Sequence, residues 1–201
     1  MCGRFIMVSR DVLDEIIQEI ELNQVLNPMP DWPATRRKAY PGSEVPLIVV
    51  KDASLEPALM KWGFEVSWNK GLVFNTRSDS AMRPGGNMWA ESIRSRRCIV
   101  PTLGFFEPHE TQTRHNPLTG KENKQHYLFT LPSSPLFFFA GIYETDRFSL
   151  MTTEANASVA PVHKRMPLVL AQDELDTWLF GNYASLFDRS GIPLFCEPET
   201  L

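Results

Sequence analysis

The spacing of apolar residues along the chain predicts three helices. From Asp11 to Leu22, apolar side chains recur at positions 12, 13, 16, 17 and 20, the period of an amphipathic helix, and Ser9 is available as its N-cap. A second helix is predicted over 172–180, because three apolar side chains fall on one side of it. A short third helix is predicted around 88–94. The first of these helices is more typical of a structural support than of a functional site.

Short apolar runs bounded by turn residues predict strands elsewhere. The predicted strands are Val45–Val50, Leu59–Phe64, Leu72–Asn75, Cys98–Val100, His126–Leu131, Leu136–Tyr143, Phe148–Thr152 and Leu168–Leu170. The uninterrupted apolar run at 136–139 favours a strand buried on both faces. The polar stretch at 109–125 carries Asn-Pro and Thr-Gly pairs and predicts an exposed hairpin loop, and the prolines at 27–33 predict an irregular segment.

Many short strands, few helices and no βαβ alternation predict an α+β fold built on antiparallel β-sheet. No segment has the composition of a linker, so we expect one domain over residues 1–201.

Charge and composition narrow the classes of function. With 20 basic and 24 acidic residues the net charge is −4, so contact with nucleic acid has to come from a local patch, for which 36–38 and 94–97 are basic candidates. No apolar run is long enough to span a membrane, and the N-terminus lacks the pattern of a signal peptide. Three widely spaced cysteines argue against a disulfide framework or a structural zinc site and for a reducing compartment. We therefore expect a cytoplasmic protein without a metal.

The residue with the most distinctive chemistry is Cys2. Removal of Met1 would give Cys2 a free α-amine beside its thiol, a 1,2-aminothiol that condenses with an aldehyde to a five-membered thiazolidine. The ordinary pKa values, about 7.7–8.0 for the amine and about 8.5 for the thiol, give both groups nucleophilic fractions near neutral pH. On position alone, the alternative of an incidental small residue near a terminus stays open.

Several polar residues stand where apolar strand residues would be expected to continue. Asn75 ends a predicted strand, Glu107 follows two phenylalanines, Asn156 follows another strand, and His163 and Arg165 precede an apolar one. Burial between aromatic rings would raise the pKa of Glu107 and suit it to proton transfer, and histidine is the usual proton shuttle at neutral pH. Taken singly, each is better explained as a strand-end or turn residue with a satisfied hydrogen bond.

Five segments together resemble one known family. They are the opening MCGRF, NTRSDSA from Asn75, RRCIVPTLGFFE ending at Glu107, TTEAN from Thr152 and HKRMPLVL from His163. In this order, over about residues 1–180, they identify the chain as a member of the SOS response-associated peptidase (SRAP) family of abasic-site processing proteins. The resemblance implies the SRAP fold, in which antiparallel sheets form a barrel-like or two-sheet core flanked by a few helices. The C-terminus is shorter than is usual for the family.

The resemblance also implies a mechanism without a cofactor. The α-amine of Cys2 attacks the C1′ aldehyde of an abasic site, and its thiolate closes the thiazolidine, so that the protein shields the lesion as a covalent crosslink. Glu107 matches the acid/base glutamate, His163 the histidine that protonates the sugar oxygen and serves crosslink reversal, and Asn75 the asparagine that orients the crosslinked residue.

The implied partner is single-stranded DNA with an abasic site, bound by a monomer that is nucleoid-associated when on DNA. Three arginines are the natural phosphate clamps, because a guanidinium suits a phosphate: Arg4, Arg77 and Arg165. Trp62, Trp68 and Pro41 resemble positions that border the DNA groove, with a place in the core as the alternative.

Two rival functions remain open at this stage. One is an N-terminal-nucleophile peptidase that uses Cys2 and Glu107 on protein, including removal of its own Met1, which is the activity behind the family's name. The other is a noncovalent binding module for single strands or proteins that has lost its chemistry.

Overall fold

The structure is a computed structural model that describes residues 2–22, 37–83, 88–132 and 134–200. The predicted irregular segment at 27–33 and the first residue of the basic run at 36–38 lie outside the described residues.

β-Structure dominates the described residues. The strands are β1 (Arg4–Met7), β2 (Arg37–Ala39), β3 (Glu44–Lys51), β4 (Ser54–Trp62), β5 (Phe64–Val66), β6 (Asn69–Val73), β7 (Asn75–Arg77), β8 (Arg97–His115), β9 (Glu122–Thr130), β10 (Phe137–Glu144), β11 (Arg147–Glu154), β12 (Arg165–Pro167), β13 (Val169–Leu170) and β14 (Phe195–Pro198).

The strands close into a barrel. Hydrogen-bonded pairs run from β8 to β10, β11, β4 and β3, and β3 pairs with β8 again, so this ring of strands has no free edge. β1 pairs mainly with later residues of β8 than β10 and β3 do, with Arg4 opposite Phe106, and β2 in turn pairs with β1. The predicted α+β fold with a barrel-like core is confirmed. Most pairs are antiparallel, but β11 runs parallel to both β4 and β7.

Three of the four α-helices in the described residues lie at predicted places, whereas the short helix Ser78–Ala81 was not predicted. The four are α1 (Leu13–Glu21), α2 (Ser78–Ala81), α3 (Ala90–Ser95) and α4 (Leu175–Leu179), and short 3-10 turns cover Arg10–Val12, Gln172–Glu174 and Tyr183–Leu186. Ser9 precedes the turn that leads into α1 but makes no side-chain capping hydrogen bond. On α4 the buried side is the predicted one, formed by Leu175, Trp178 and Leu179.

The prediction of a hairpin loop over 109–125 was wrong in its extent. β8 runs to His115 and β9 begins at Glu122, so most of this stretch is strand and the turn covers only 116–121. The paired ends of β8 and β9 extend beyond the core, and both of their faces are exposed to solvent. The sequence here therefore lacks the alternation of apolar and polar residues that marks a half-buried strand.

β10 divides the core into two apolar clusters. Phe137 and Phe139 point to one cluster, whereas Phe138 and Ala140 point to the other, which contains α1 and α4. This explains why the run at 136–139 is buried on both faces, as predicted. Cys2 belongs to the first cluster, so the start of the chain is part of the core.

No helix of the described residues is long and apolar enough to cross a membrane.

Candidate active site around Cys2

Cys2 lies at the entrance to β1 and is fully buried. Its carbonyl oxygen accepts a 2.7 Å hydrogen bond from Nδ2 of Asn75, and its thiol donates to the carbonyl oxygen of Arg4 over 3.6 Å. Asn75 is the first residue of β7, which pairs in parallel with β11 through Leu150. The fold thus brings together two of the predicted site residues, 73 positions apart in the sequence.

Glu107 lies beside the same stretch of chain. Its neighbour Phe106 is paired with Arg4 across β1 and β8, which places Glu107 level with the backbone that leads to Cys2. Glu107 has no exposed surface, and burial raises its pKa to about 7. A carboxyl group with this pKa exchanges protons readily at neutral pH.

Burial also changes the chemistry expected of the thiol. The pKa of Cys2 is raised well above its ordinary value, first by burial and then by the negative charge of Glu107. The thiolate fraction of Cys2 at neutral pH is therefore smaller than the ordinary thiol pKa implies, and reaction of the sulfur needs a base that takes the thiol proton.

His163 is half-buried and follows a residue that contacts β8, the strand that carries Glu107. Its Nδ1 lies 3.1 Å from the backbone nitrogen of Arg165 and 3.0 Å from that residue's oxygen, contacts that hold the ring in place. The preceding residue, Val162, accepts a 3.1 Å hydrogen bond from the backbone of Glu110 on β8. Burial is the main cause of a lowered pKa at His163.

Two of the predicted phosphate clamps share one carboxylate. Arg77 forms a bidentate pair with Asp79, at 2.8 and 3.1 Å, and Arg165 reaches the same carboxylate at 3.3 Å. Arg77 is half exposed, whereas the Arg165 side chain is only 9% exposed and also donates to the carbonyl of Thr152. The structure therefore places Arg165 as an internal support and Arg77 at the surface.

The third predicted clamp, Arg4, lies over the ring of Phe106, with the guanidinium carbon 4.1 Å from the centroid. Its Nη2 is 2.5 Å from a carboxylate oxygen of Glu199. Lys38 lies over the same ring at 4.9 Å and contacts the other oxygen of Glu199 at 2.9 Å. No local sequence pattern marks Glu199, because its partners are far away in the sequence.

The three residues predicted to border a DNA groove have different environments. Trp62 is fully buried, packs edge-on against Phe5 at 4.9 Å and donates through Nε1 to the carbonyl of Phe74, so the alternative of a core position is the correct one. Trp68 is 64% exposed in the turn between β5 and β6, and Pro41 is half-buried in the turn after β2.

Asn156 has a structural role. Its side chain donates to the carbonyls of Arg189 and Ile192 and accepts from the backbone of Ser158 and Val159, which fixes a turn. In the part of the chain that the structure describes, no three His, Cys, Asp or Glu side chains are grouped as metal ligands.

Known proteins are similar in sequence to most of this chain. Abasic site processing protein YoaM of Bacillus subtilis is 26% identical over 193 residues, covering 89% of this chain and 79% of the relative. Abasic site processing protein YedK of Escherichia coli is 26% identical over 200 residues, covering 95% and 86%.

Solved structures share the same fold. A phage-related protein of Bordetella bronchiseptica superposes with a TM-score of 0.70 at 24% identity, covering 100% of this chain and 95% of that one. A protein from Bacteroides thetaiotaomicron gives a TM-score of 0.66 at 22% identity, covering 98% and 91%. At these identities the likeness concerns the fold alone.

A model of the SOS response associated peptidase (SRAP) family matches residues 1–188. Because this match spans most of the described chain, including β1, β7, β8 and β12, the protein belongs to the SRAP family.

Proposed function

We propose that the protein processes abasic sites in single-stranded DNA by forming a thiazolidine crosslink through Cys2 after removal of Met1. The observation that carries the proposal is the placement of Cys2, whose carbonyl is held by Asn75 beside Glu107, a buried acid with a pKa of about 7. The names of the relatives, abasic site processing proteins, support DNA with abasic sites as the target.

The proposed reaction has two bond-forming steps. The α-amine of Cys2 adds to the C1′ aldehyde of the opened sugar and loses water to give a Schiff base. The thiol sulfur then adds to C1′ and its proton ends on the former imine nitrogen, so the net change is one water lost and one thiazolidine gained. Because the thiol pKa is raised by burial, the second step requires a base at the thiol.

Glu107 is the group proposed for these proton transfers. As a carboxylate it takes a proton from the amine or thiol, and as an acid it returns one to the departing hydroxyl. A pKa of about 7 means that both forms are present at neutral pH. His163 is proposed to protonate the sugar oxygen, since a lowered pKa makes its imidazolium the stronger acid.

The structure offers surface groups for the DNA strand. Asn75 and Arg77 are two apart on β7 and therefore share a face, so Arg77 lies about 7 Å along the strand from the contact with Cys2. Its half-exposed guanidinium suits a phosphate, and the exposed Trp68 suits base stacking. We propose these two residues as the principal DNA contacts.

A peptidase acting on the Met1–Cys2 bond is the second candidate. The observation that favours it is that the bond's own residue, Cys2, is buried beside Glu107, which can serve as its base or acid. This activity and the crosslink are compatible, because they use the same groups in succession.

One experiment separates these functions. The mature protein is incubated with an oligonucleotide that contains one abasic site, and the products are run on a denaturing gel. We expect a heat-stable shifted band that Cys2→Ala and Cys2→Ser both abolish, because the ring needs sulfur. Cys196→Ser, which removes a half-buried thiol elsewhere, serves as the matched control and keeps the band.

Absence of the band with intact Cys2 would refute the crosslink and leave a noncovalent module. If Cys2→Ser still cleaves Met1 but gives no band, the same site also acts as a peptidase. A hydroxyl can then replace the thiol in cleavage but not in the crosslink.

A further inference from the structure

The last residues of the described chain lie against a cationic site. After β14, the backbone of Glu199 is fixed at three points: its nitrogen donates to the carbonyl of His126 over 2.8 Å, and its carbonyl accepts from Arg114 and from Gln125. β14 itself is paired with β9 over four residues, from Phe195 opposite Thr130 to Pro198 opposite Tyr127. The position of Glu199 is thus set by main-chain contacts that do not involve its carboxylate.

The carboxylate of Glu199 bridges two cations. One oxygen meets Arg4 at 2.5 Å and the other meets Lys38 at 2.9 Å, while both cations rest on the ring of Phe106. The Glu199 side chain is 14% exposed and that of Arg4 is 17% exposed. Burial alone would raise the pKa of Glu199, but hydrogen bonds from Lys38 and Arg4 lower it below its ordinary value, so the group is ionised at neutral pH.

A guanidinium and an ammonium that lie over an aromatic ring and bind a carboxylate also suit the anionic group of a phosphodiester. Arg4 immediately follows the stretch Cys2-Gly3, so the occupied site adjoins the proposed crosslinking residue. We propose that Glu199 is a specificity-determining residue that competes with a DNA phosphate for Arg4 and Lys38, an inference that rests on the proposed function.

Occupation by Glu199 weakens the binding of every single strand, damaged or intact. A strand has to displace the carboxylate before it gains the two cations, and the net charge of −4 adds general repulsion. Only a strand with an aldehyde gains a covalent bond after this displacement. Intact DNA therefore dissociates, and retention depends on the lesion.

The test measures noncovalent affinity for an oligonucleotide without an abasic site, by fluorescence anisotropy at several salt concentrations. We expect Glu199→Gln to bind roughly three- to tenfold more tightly than wild type, the range of a partly buried charge pair, and with a steeper salt dependence. Glu197→Gln removes the same charge from an exposed position on β14 and is the matched control, with an affinity close to that of wild type.

Two further variants separate the contact of Glu199 with the two cations from the effect of net charge. Glu199→Asp keeps the net charge but shortens the side chain, so it bridges the cations less well, and we expect affinity between wild type and Glu199→Gln. Lys38→Gln removes one of the two cations but leaves Arg4, so the gain from Glu199→Gln should be smaller in the double variant. Thermal melting of each variant checks that the fold is retained.

Equal affinities for Glu199→Gln and Glu197→Gln would overturn the inference, and so would weaker binding by Glu199→Gln, which would make Glu199 a support for Arg4. Crosslinking by wild type to abasic DNA is measured in parallel. A crosslink without the gain in affinity refutes only the competition, whereas the gain without a crosslink refutes only the proposed covalent function.

Discussion

At the scale of single residues, the ionisation of Glu107 affects both the stability and the chemistry of the protein. Its pKa of about 7, against an ordinary 4.5, means that the folded state favours the protonated acid. Protonation of Glu107 therefore contributes to the free energy of unfolding. This contribution is complete below pH 4.5 and is lost as the pH rises through 7, and it amounts to about 3 kcal/mol.

This ionisation gives a prediction for unfolding. Between pH 5 and pH 8 we expect the free energy of unfolding of wild type to fall by up to about 3 kcal/mol relative to Glu107→Gln, measured by urea denaturation. Glu110→Gln, an exposed position on the same strand, should show the pH dependence of wild type. Identical pH dependence in wild type and Glu107→Gln would show that Glu107 is ionised normally.

A second prediction concerns the rate of crosslinking. Glu107→Gln removes the proposed base while it keeps the shape of the side chain, and we expect the rate to fall on the order of 100-fold. The measurement is a time course of adduct formation with an abasic oligonucleotide, with Glu15→Gln, at an exposed position on α1, as the control. An unchanged rate would remove Glu107 from the proton transfers.

At the scale of elements, the two faces of β7 carry residues with different roles. Thr76 points away from the site and hydrogen-bonds Ser149 at 2.9 Å, while Asn75 and Arg77 occupy the opposite face. The pairing of β7 with β11 therefore fixes the distance between the residue that holds Cys2 and the proposed phosphate contact.

The exposed arginine of this element leads to a third prediction. Arg77→Gln should weaken noncovalent binding to single-stranded DNA about three- to tenfold and reduce the slope of log affinity against log salt by about 0.7, the value for one phosphate contact on a single strand. Arg94→Gln on α3, also exposed, is the control for general charge. An unchanged affinity and slope for Arg77→Gln would contradict its contact with phosphate.

The elements also show why parts of the fold and the site were predictable. Strands such as β3 and β10 have the apolar runs of a core, and α1 has the helical period, so their positions followed from the sequence. β1 and β14 are short, and their pairing partners lie about 30 to 100 positions away, so no local pattern marks them. For the same reason Glu199 was missed, and the burial of Trp62 and Arg165 became apparent only from the packing.

At the scale of the whole molecule, the barrel makes the start of the chain part of its core. β1 is paired with β8 and β2, Phe5 contacts the rings of Trp62 and Phe139, and Cys2 belongs to the same apolar cluster. The basic run at 94–97 also has a structural role, since Arg97 donates hydrogen bonds to the carbonyls of Trp178 and Leu179. The net charge of −4 leaves DNA affinity to a few local groups.

The burial of Cys2 also sets an order of folding and trimming for the proposed function, in which Cys2 becomes the amino terminus. Once β1 has docked, Cys2 has no exposed surface, so a separate aminopeptidase has access to it only before docking or through local opening. We expect folded protein that still carries Met1 to lose it at a first-order rate that added methionine aminopeptidase does not change, followed by intact-mass spectrometry. A rate proportional to the added enzyme would contradict this. A chain that folds before it is trimmed therefore trims itself, is trimmed through local opening, or stays unreactive toward aldehydes.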